Sequence, residues 1–533
     1  SPVRRAAGTA LGSRVRSQSS PMAMDLRARV KAMSAPPPPA HQLSTSSFPG
    51  SRALLAAFLK DMVQRLGAPF GGAPPAKGPE RQPSNWPVLV GLCNILYYWT
   101  RPWVAIVLLL VAPLHRSALV AVLAIRLVVG CCCDWQLRRT FLGSPKVPAG
   151  LHHADTPENR RLAARLRALG WGDPSREACT RWLWNGDLLT VFPFICYPPR
   201  KVPYERAWLE VEEQLPGRAE PARERVALDW AHPPTGYDPS KPVAVVCHGL
   251  NGGSKENYVM DFVTHATREA GWTCVVMVNR GFAGTSLRER PFHGARTSDL
   301  EAAVAFVREA VGPEADLVGV GFSLGAIVLA NYCGVAGARC GLACAVSFSG
   351  CYDCWENVAF PYSAASWQPW LVRQLKANFL VSKPQADIYG ASGRVDVDKA
   401  LSSAVRTVPE FDAAVSVPFY GFESLEDYYA AMSVGRKGKL RRVRVPLLAV
   451  HAADDPIVNV DTYEKPMAMA LDEKHESYNP YCWFKITRRG GHVGWCQGPR
   501  PADHRWRFMN QTAVDFATAV LEEQGGKENA ALN

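Results

Sequence analysis

One junction constrains this 533-residue chain more than any other. An apolar run, Leu317 to Val320, stops at Gly321-Phe322-Ser323-Leu324-Gly325, and an apolar helical pattern starts at once, Ala326 to Tyr332. Strand, sharp turn and helix in so few residues leave Ser323 on a strained backbone. Side chains at the flanking positions would collide with neighbouring backbone, so Gly321 and Gly325 fill them. The turn lifts the serine hydroxyl above the sheet, and the first N–H groups of the following helix point at the same spot. A Gly-rich turn with a passive serine has the same spacing, so the rest of the chain has to decide between the two.

The surrounding pattern is that of an α/β protein. Val243–Cys247, Thr273–Val278, Ala343–Phe348, Val445–Val450 and Trp483–Thr487 are continuous apolar runs, and Phe262–Ala270 and Leu300–Ala310 have helical periodicity. Such strands alternating with helices predict a mostly parallel central sheet with helices on both faces. Tyr204–Val211 and Val226–Trp230 read as antiparallel strands ahead of it, and Asn510–Glu523 as a closing helix. Residues 351–436 carry Trp355, Trp367, Trp370, Phe379 and Tyr428-Tyr429 without a clear strand, which predicts a mainly helical cap. The expected folded domain is 181–523, with 136–180 as a linker and 524–533 as a polar tail.

The first 135 residues differ in kind. Residues 1–85 are rich in Pro, Ala, Ser and Arg and cannot bury enough apolar surface to fold, which predicts a disordered or targeting segment. Up to Arg52 the sole acid is Asp25, as in an organelle transit peptide. Residues 86–135 are apolar: Arg101 is the one charge from Trp86 to Leu114, and Arg126 the one charge from Ser117 to Cys133. A bilayer-spanning helix needs about 20 apolar residues, so an N-terminal membrane anchor of one or two helices is expected. A buried core helix competes, because the uncharged stretch Pro102–Leu114 falls short of a full span.

Hydrophobic content of 47% suits a large core. The net charge of +12 gathers in the first eighty or so residues and in Arg436–Arg444 rather than on one folded face, which excludes a nucleic-acid groove. The 15 cysteines show no repeated spacing, and several (Cys247, Cys274, Cys333, Cys344) sit in apolar runs as small hydrophobes. That predicts a reducing compartment for the folded domain. Cys351-x-x-Cys354 lacks a second pair at zinc spacing, and no metal or cofactor is expected.

A serine hydroxyl becomes a nucleophile through a base, and the base through an orienting carboxylate. Leu447–Val450 leads into Asp454-Asp455-Pro456-Ile457-Val458, and Phe484–Thr487 into Gly490-Gly491-His492-Val493-Gly494. Ser323, Asp455 and His492 thus each follow their own strand, in the order nucleophile, acid, base. Asp454 competes with Asp455, while His451 and His504 are weaker bases by position. The expected oxyanion donors are the N–H of Leu324, after the nucleophile, and that of Leu250, in the loop His248-Gly249-Leu250-Asn251-Gly252-Gly253. No Lys-Ser or Lys-Thr follows that loop in Walker spacing, so it is no phosphate cradle.

Several stretches together resemble the YheT-like branch of the α/β-hydrolases (AB hydrolase family 4). They are Leu183-Trp-Asn-Gly186, His248–Gly253, Asn279-Arg-Gly281, Phe292-His293 with Thr297-Ser-Asp299, Gly321–Gly325, Gly421–Tyr429, Ala453–Pro456 and Gly490–Gly494, spanning about Trp182 to Trp495. The resemblance implies an α/β-hydrolase fold with Ser323, Asp455 and His492 as triad. Asp455 is favoured because related hydrolases place the acid just before an x-[Ile/Leu]-Val turn. It further implies hydrolysis or transfer of acyl esters such as medium-chain esters, monoacylglycerols or phosphatidylcholines, at an endomembrane or organelle membrane, with an ester lipid and the bilayer as partners. The chain departs from the branch at Asp187, which replaces a histidine, and in extra residues around Asp472–Pro480. The competing readings are an acyltransferase with an alcohol acceptor and a non-catalytic hydrolase-fold binding protein. All three triad positions are filled, which speaks against the second.

Overall fold

Nine strands make one sheet: β1 (Gly150–His153), β2 (Glu205–Glu213), β3 (Ala222–Ala231), β4 (Val243–Cys247), β5 (Thr273–Val278), β6 (Leu317–Phe322), β7 (Cys344–Phe348), β8 (Leu447–Ala452) and β9 (Cys482–Thr487). Their spatial order is β1-β9-β8-β7-β6-β4-β5-β3-β2. The structure, a computed structural model, describes residues 21–38, 146–214 and 219–532. From β5 through β9 neighbouring strands run parallel, with Val243 facing Thr273 on one side and Leu317 on the other. β1, β2 and β3 join antiparallel at the edges. Every residue of β4 to β9 is buried, which is why these strands read as unbroken apolar runs.

Alternate side chains feed two cores. Val243, Val245 and Cys247 face the helix Ser298–Val311, while Ala244 and Val246 face the helices Asn257–Arg268 and Arg507–Leu532. The family-like segments Asn279-Arg-Gly281 and Thr297-Ser-Asp299 prove structural. Arg280, 1% exposed, donates through Nε to Asp299 Oδ2 at 2.8 Å, through its terminal amine to the other oxygen, and to the Arg290 carbonyl at 3.2 Å. Glu213 lies 3.6 Å from the same guanidinium, so the buried charge is shared between two carboxylates.

Between β7 and β8 the chain makes seven short α-helices, from Pro361–Ser366 to Leu425–Met432, and no strand. The two feet of this cap are tied together. Gly435 N–H donates to the Tyr352 carbonyl at 2.7 Å, Cys354 N–H to Ser433 Oγ at 2.8 Å, and Arg436 Nε to Asp353 at 2.6 Å.

Three boundaries differ from expectation. The expected linker 136–180 contains β1 and the helix Pro157–Ala168, whose Leu162, Ala163 and Leu166 are buried in the main core. Within the expected disordered or targeting segment 1–85, Pro21–Met33 forms the helix α1. Leu26 is buried, with Val30 and Met33 packed beside it, and Ala35 N–H donates to the Trp208 carbonyl of β2 at 2.8 Å. Overall composition hides that stripe, because three apolar residues at helical spacing are enough to dock one turn after another. The expected tail is helical through Leu532, built from the helix formers Gln524, Lys527, Glu528, Ala530 and Ala531. Among the described residues no helix is long and apolar enough to cross a membrane. The expected anchor at 86–135 lies outside them.

Candidate functional site

Ser323 joins β6 to the helix α2 (Leu324–Ala336) at φ 53° and ψ −119°, a conformation costly for a residue with a side chain. The two flanking glycines are enforced by space. A Cβ on Gly321 would lie 2.7 Å from the Gly325 carbonyl oxygen, and one on Gly325 2.3 Å from that of Cys247. The Ser323 N–H is held by the Phe348 carbonyl at 2.9 Å, which anchors the turn to β7.

His492 Nε2 lies 2.8 Å from Ser323 Oγ, and its Nδ1 lies 2.8 Å from Asp455 Oδ2. A carboxylate only accepts, so Nδ1 carries the proton and Nε2 is left to accept from the serine. Asp455 is fixed in turn: its Oδ1 accepts from the N–H groups of Ile457 at 2.8 Å and Val458 at 2.9 Å, the residues that follow Pro456. Asp454 does different work. Its Oδ1 accepts from Gly490 N–H at 2.8 Å and Gly491 N–H at 2.9 Å, holding the loop before His492. His451 is buried in β8 and stacks on Tyr463 with ring centres 4.2 Å apart, and burial pushes its imidazole down to about 3. His504 ends the short helix Pro501–His504, outside this chain of hydrogen bonds.

The loop after β4 is locked by a neutral histidine. His248 Nδ1–H donates to the Gly249 carbonyl at 2.8 Å and Nε2 accepts from Asn279 N–H at 3.2 Å, while burial lowers its pKa to about 4. Gly249 N–H donates to Tyr258 Oη at 2.8 Å. A Cβ on Gly249 would lie 3.4 Å from the Ser323 Cβ, so this loop runs beside the serine. Among the described residues the N–H groups of Leu250 and Leu324 have no protein acceptor, and both residues line the cavity that holds Ser323 and His492.

Several parts of the site escape the sequence reading. Gly186–Cys196 is a helix, α3, capped by Asn185, whose side chain accepts from Leu188 N–H at 2.9 Å. Its Thr190 Oγ1 accepts from His492 N–H at 2.8 Å and donates to the Gly186 carbonyl at 2.7 Å. Gly186 is itself obligatory, since a Cβ there would sit 1.7 Å from the Asp454 carbonyl oxygen. The Leu183-Trp-Asn-Gly186 signature therefore docks one helix against both the Asp454 loop and the His492 loop. Asp187, the departure from the branch, accepts from Tyr362 Oη at 2.5 Å and Trp367 Nε1 at 2.7 Å, both on the cap. The extra residues around Asp472–Pro480 end in Asn479, whose amide donates to the Leu440 and Val443 carbonyls at 2.7 and 2.9 Å, away from the serine.

Above Ser323 lies a cavity of about 300 Å³, within the range of small-ligand sites. Val191, Phe194 and Ile195 form one wall, and Trp367, Leu371 and Phe379 of the cap another. Glu256 is the titratable acid on the sheet side of the cavity; burial pushes its carboxyl up to about 7. Asp412 faces the cavity from the cap with both oxygens occupied, by Ser416 at 2.7 Å and Tyr429 at 2.9 Å. Cys351 and Cys354 sit in the wall as buried thiols. Among the described residues no cluster of His, Cys, Asp or Glu is arranged to hold a metal ion.

The sequence model of the Alpha/beta hydrolase family matches residues 244–510. Phospholipase ABHD3 of Mus musculus is 28% identical over 352 residues, 64% of this chain and 78% of its own length. The monoacylglycerol lipase of Saccharomyces cerevisiae is 29% identical over 272 residues, 49% of this chain and 57% of its own. The YheT protein of Escherichia coli is 29% identical over 301 residues, 56% of this chain and 82% of its own.

Proposed function

The chain belongs to the alpha/beta hydrolase family, among relatives of lipase and esterase type, and from that premise we propose that it hydrolyses lipid acyl esters through an acyl-serine on Ser323. The observation that carries the reading is the unbroken line Asp455–His492–Ser323, two contacts of 2.8 Å each, at the floor of an apolar cavity. As Ser323 Oγ bonds to the ester carbonyl carbon, His492 Nε2 takes its proton, and Asp455 stabilises the imidazolium that forms. The negative charge moves to the carbonyl oxygen, for which the unoccupied N–H groups of Leu250 and Leu324 are the proposed donors. Collapse expels the alkoxide, which takes the proton from Nε2; water then repeats the sequence on the acyl-serine and releases the acid.

The apolar lining from α3 and the cap supports an acyl chain as the group held, and the names of the relatives support a glycerolipid ester as substrate. Association with a bilayer belongs to the same reading, supported by the apolar stretches within 86–135. The test is labelling with a fluorophosphonate probe, followed by a panel of ester lipids with and without added alcohol. Wild type should label and Ser323→Ala should not, with its thermal unfolding unchanged. Labelling that persists in Ser323→Ala overturns the assignment, and product esters formed with the alcohol would show transfer instead of hydrolysis.

A further inference from the structure

The basic run Arg436–Arg444 offers itself first as a surface for anionic lipid, but the structure ties down its first half and leaves only Arg441, Arg442 and Arg444 exposed. Arg436 pairs with Asp353 at 2.6 Å and Lys437 with Asp427 at 2.7 Å. Lys439 is buried, donating to Asn331 Oδ1 at 2.6 Å and to the Ala430 and Ala431 carbonyls at 3.1 and 2.8 Å. The run fastens the returning end of the cap to α2.

A different face has the opposite character. The helix α3 reads Gly-Asp-Leu-Leu-Thr-Val-Phe-Pro-Phe-Ile-Cys. Its buried side is Gly186, Leu189, Thr190 and Pro193; its other side is wholly apolar and half-buried, with Leu188, Phe192 and Phe194 packed against the core at their edges and Val191 and Ile195 at the cavity. A surface helix in water carries polar residues on its outer side, and a helix apolar all round belongs against something apolar. Its one charge, Asp187, is turned inward onto Tyr362 and Trp367. Beside it Trp182 and Trp184 are 48% and 42% exposed, and the Trp182 ring packs edge-on against Phe192 at 5.2 Å. Single exposed apolar residues are ordinary; a helix flank with two adjoining tryptophans is a patch.

The rim of the patch is basic. Trp182 Nε1 donates to the Pro499 carbonyl at 3.0 Å, next to Arg500, and Arg489 donates to the Leu183 carbonyl, next to Arg488. Arg181, Arg488 and Arg500 are exposed and have no ion-pair partner among the described residues; the exposed acid of these stretches is Asp503. The same helix flank reaches the cavity, because Val191, Phe194 and Ile195 line it.

We propose that the α3 face, with Trp182, Trp184 and the rim of Arg181, Arg488 and Arg500, is the surface by which this chain sits on an anionic bilayer, its apolar flank forming the path by which a lipid acyl chain passes into the cavity. Amphipathic indoles favour the headgroup level, apolar helix flanks sink beneath it, and arginines add salt-screened attraction to anionic headgroups. The inference rests on the lipid-ester reading for the cavity, and its test does not depend on turnover.

Hydrogen exchange is followed on the full chain, alone and with phosphatidylcholine vesicles containing a minority of phosphatidylserine. Backbone amides of residues 182–196 should slow when vesicles are added. The triple variant Arg181→Gln, Arg488→Gln, Arg500→Gln, whose changed side chains are all exposed, should lose that slowing and cut turnover of a vesicle-borne ester about tenfold, with the difference fading in high salt. Trp182→Gln should do likewise without the salt dependence, and neither variant should change turnover of a soluble short-chain ester. Unchanged exchange over 182–196 on vesicle addition overturns the proposal. So does exchange over 182–196 that slows with rising protein concentration before vesicles are added, which assigns the patch to a second copy. Equal loss on both substrates overturns it in favour of a folding role. Vesicle protection in a chain that hydrolyses no ester leaves the surface standing and refutes the catalytic reading alone.

Discussion

Thr190 and His492 are 302 residues apart in sequence, and the Thr190 hydroxyl accepts the His492 backbone N–H at 2.8 Å. The same hydroxyl donates to Gly186, so the loop that carries His492 is hung from the first turn of α3. Thr190→Val keeps the shape and removes the acceptor, leaving a buried N–H unpaired at about 1–3 kcal/mol. The expected result is a fall in kcat of about tenfold or more on a soluble ester with KM nearly unchanged, and recovery in Thr190→Ser.

The two adjacent acids separate by their partners. Asp455→Asn leaves the Ile457 and Val458 contacts an acceptor but removes the charge facing His492, and kcat should drop by about 10³ to 10⁴, by analogy with other triads. Asp454→Asn keeps an oxygen for Gly490 and Gly491 and should cost far less. Steady-state kinetics of the two variants checks this, and the reverse ranking would move the acid to Asp454.

Asp187 ties the cap to α3 through Tyr362 and Trp367. Asp187→Ala releases both donors at once. Limited proteolysis should then cut faster between Pro361 and Leu375, and KM for a long-chain ester should rise severalfold while that for a short-chain ester barely moves. Protease resistance equal to wild type would show that the cap is held elsewhere.

Glu256 gives a pH signature. Its carboxyl is raised by burial from the ordinary 4.5 to about 7, so between these values the folded chain holds a proton that the unfolded chain has lost. Stability therefore falls as pH rises from about 4.5 to about 7 and is level above. Glu256→Gln removes the dependence, so its gain in thermal stability over wild type should be small near pH 5 and full near pH 8. The gain is at most about 3 kcal/mol, less the solvation the carboxylate keeps through the cavity. A gain independent of pH would place its origin in packing and not in the charge of the carboxylate.

Legibility in the sequence followed burial. β4 to β9 are enclosed on both faces, so their side chains report burial without alternation, and β4 and β5 begin and end where the apolar runs do. β1 was opaque because it is a four-residue edge strand, half-buried throughout, with two histidines in it. α3 was opaque for the opposite reason: with apolar residues on every side and Pro193 inside, it shows no helical period. Asp455 stood out through Pro456-Ile457-Val458, whose backbone N–H groups hold it. The Thr190 and Asp187 contacts bridge segments far apart in sequence, and no local pattern encodes them.

The closed feet of the cap carry one more consequence. Because Tyr352 and Gly435 are joined by a backbone hydrogen bond, and Cys354 and Ser433 by another contact, everything between is a detour that departs and returns at one place on the scaffold. Lengthening or shortening such a detour changes its closure entropy only with the logarithm of its length. A chimera that splices a relative's roof between Cys354 and Ser433 leaves the strand register of β7 and β8 untouched. Within such a lineage the roof can diverge while the floor beneath it is inherited whole.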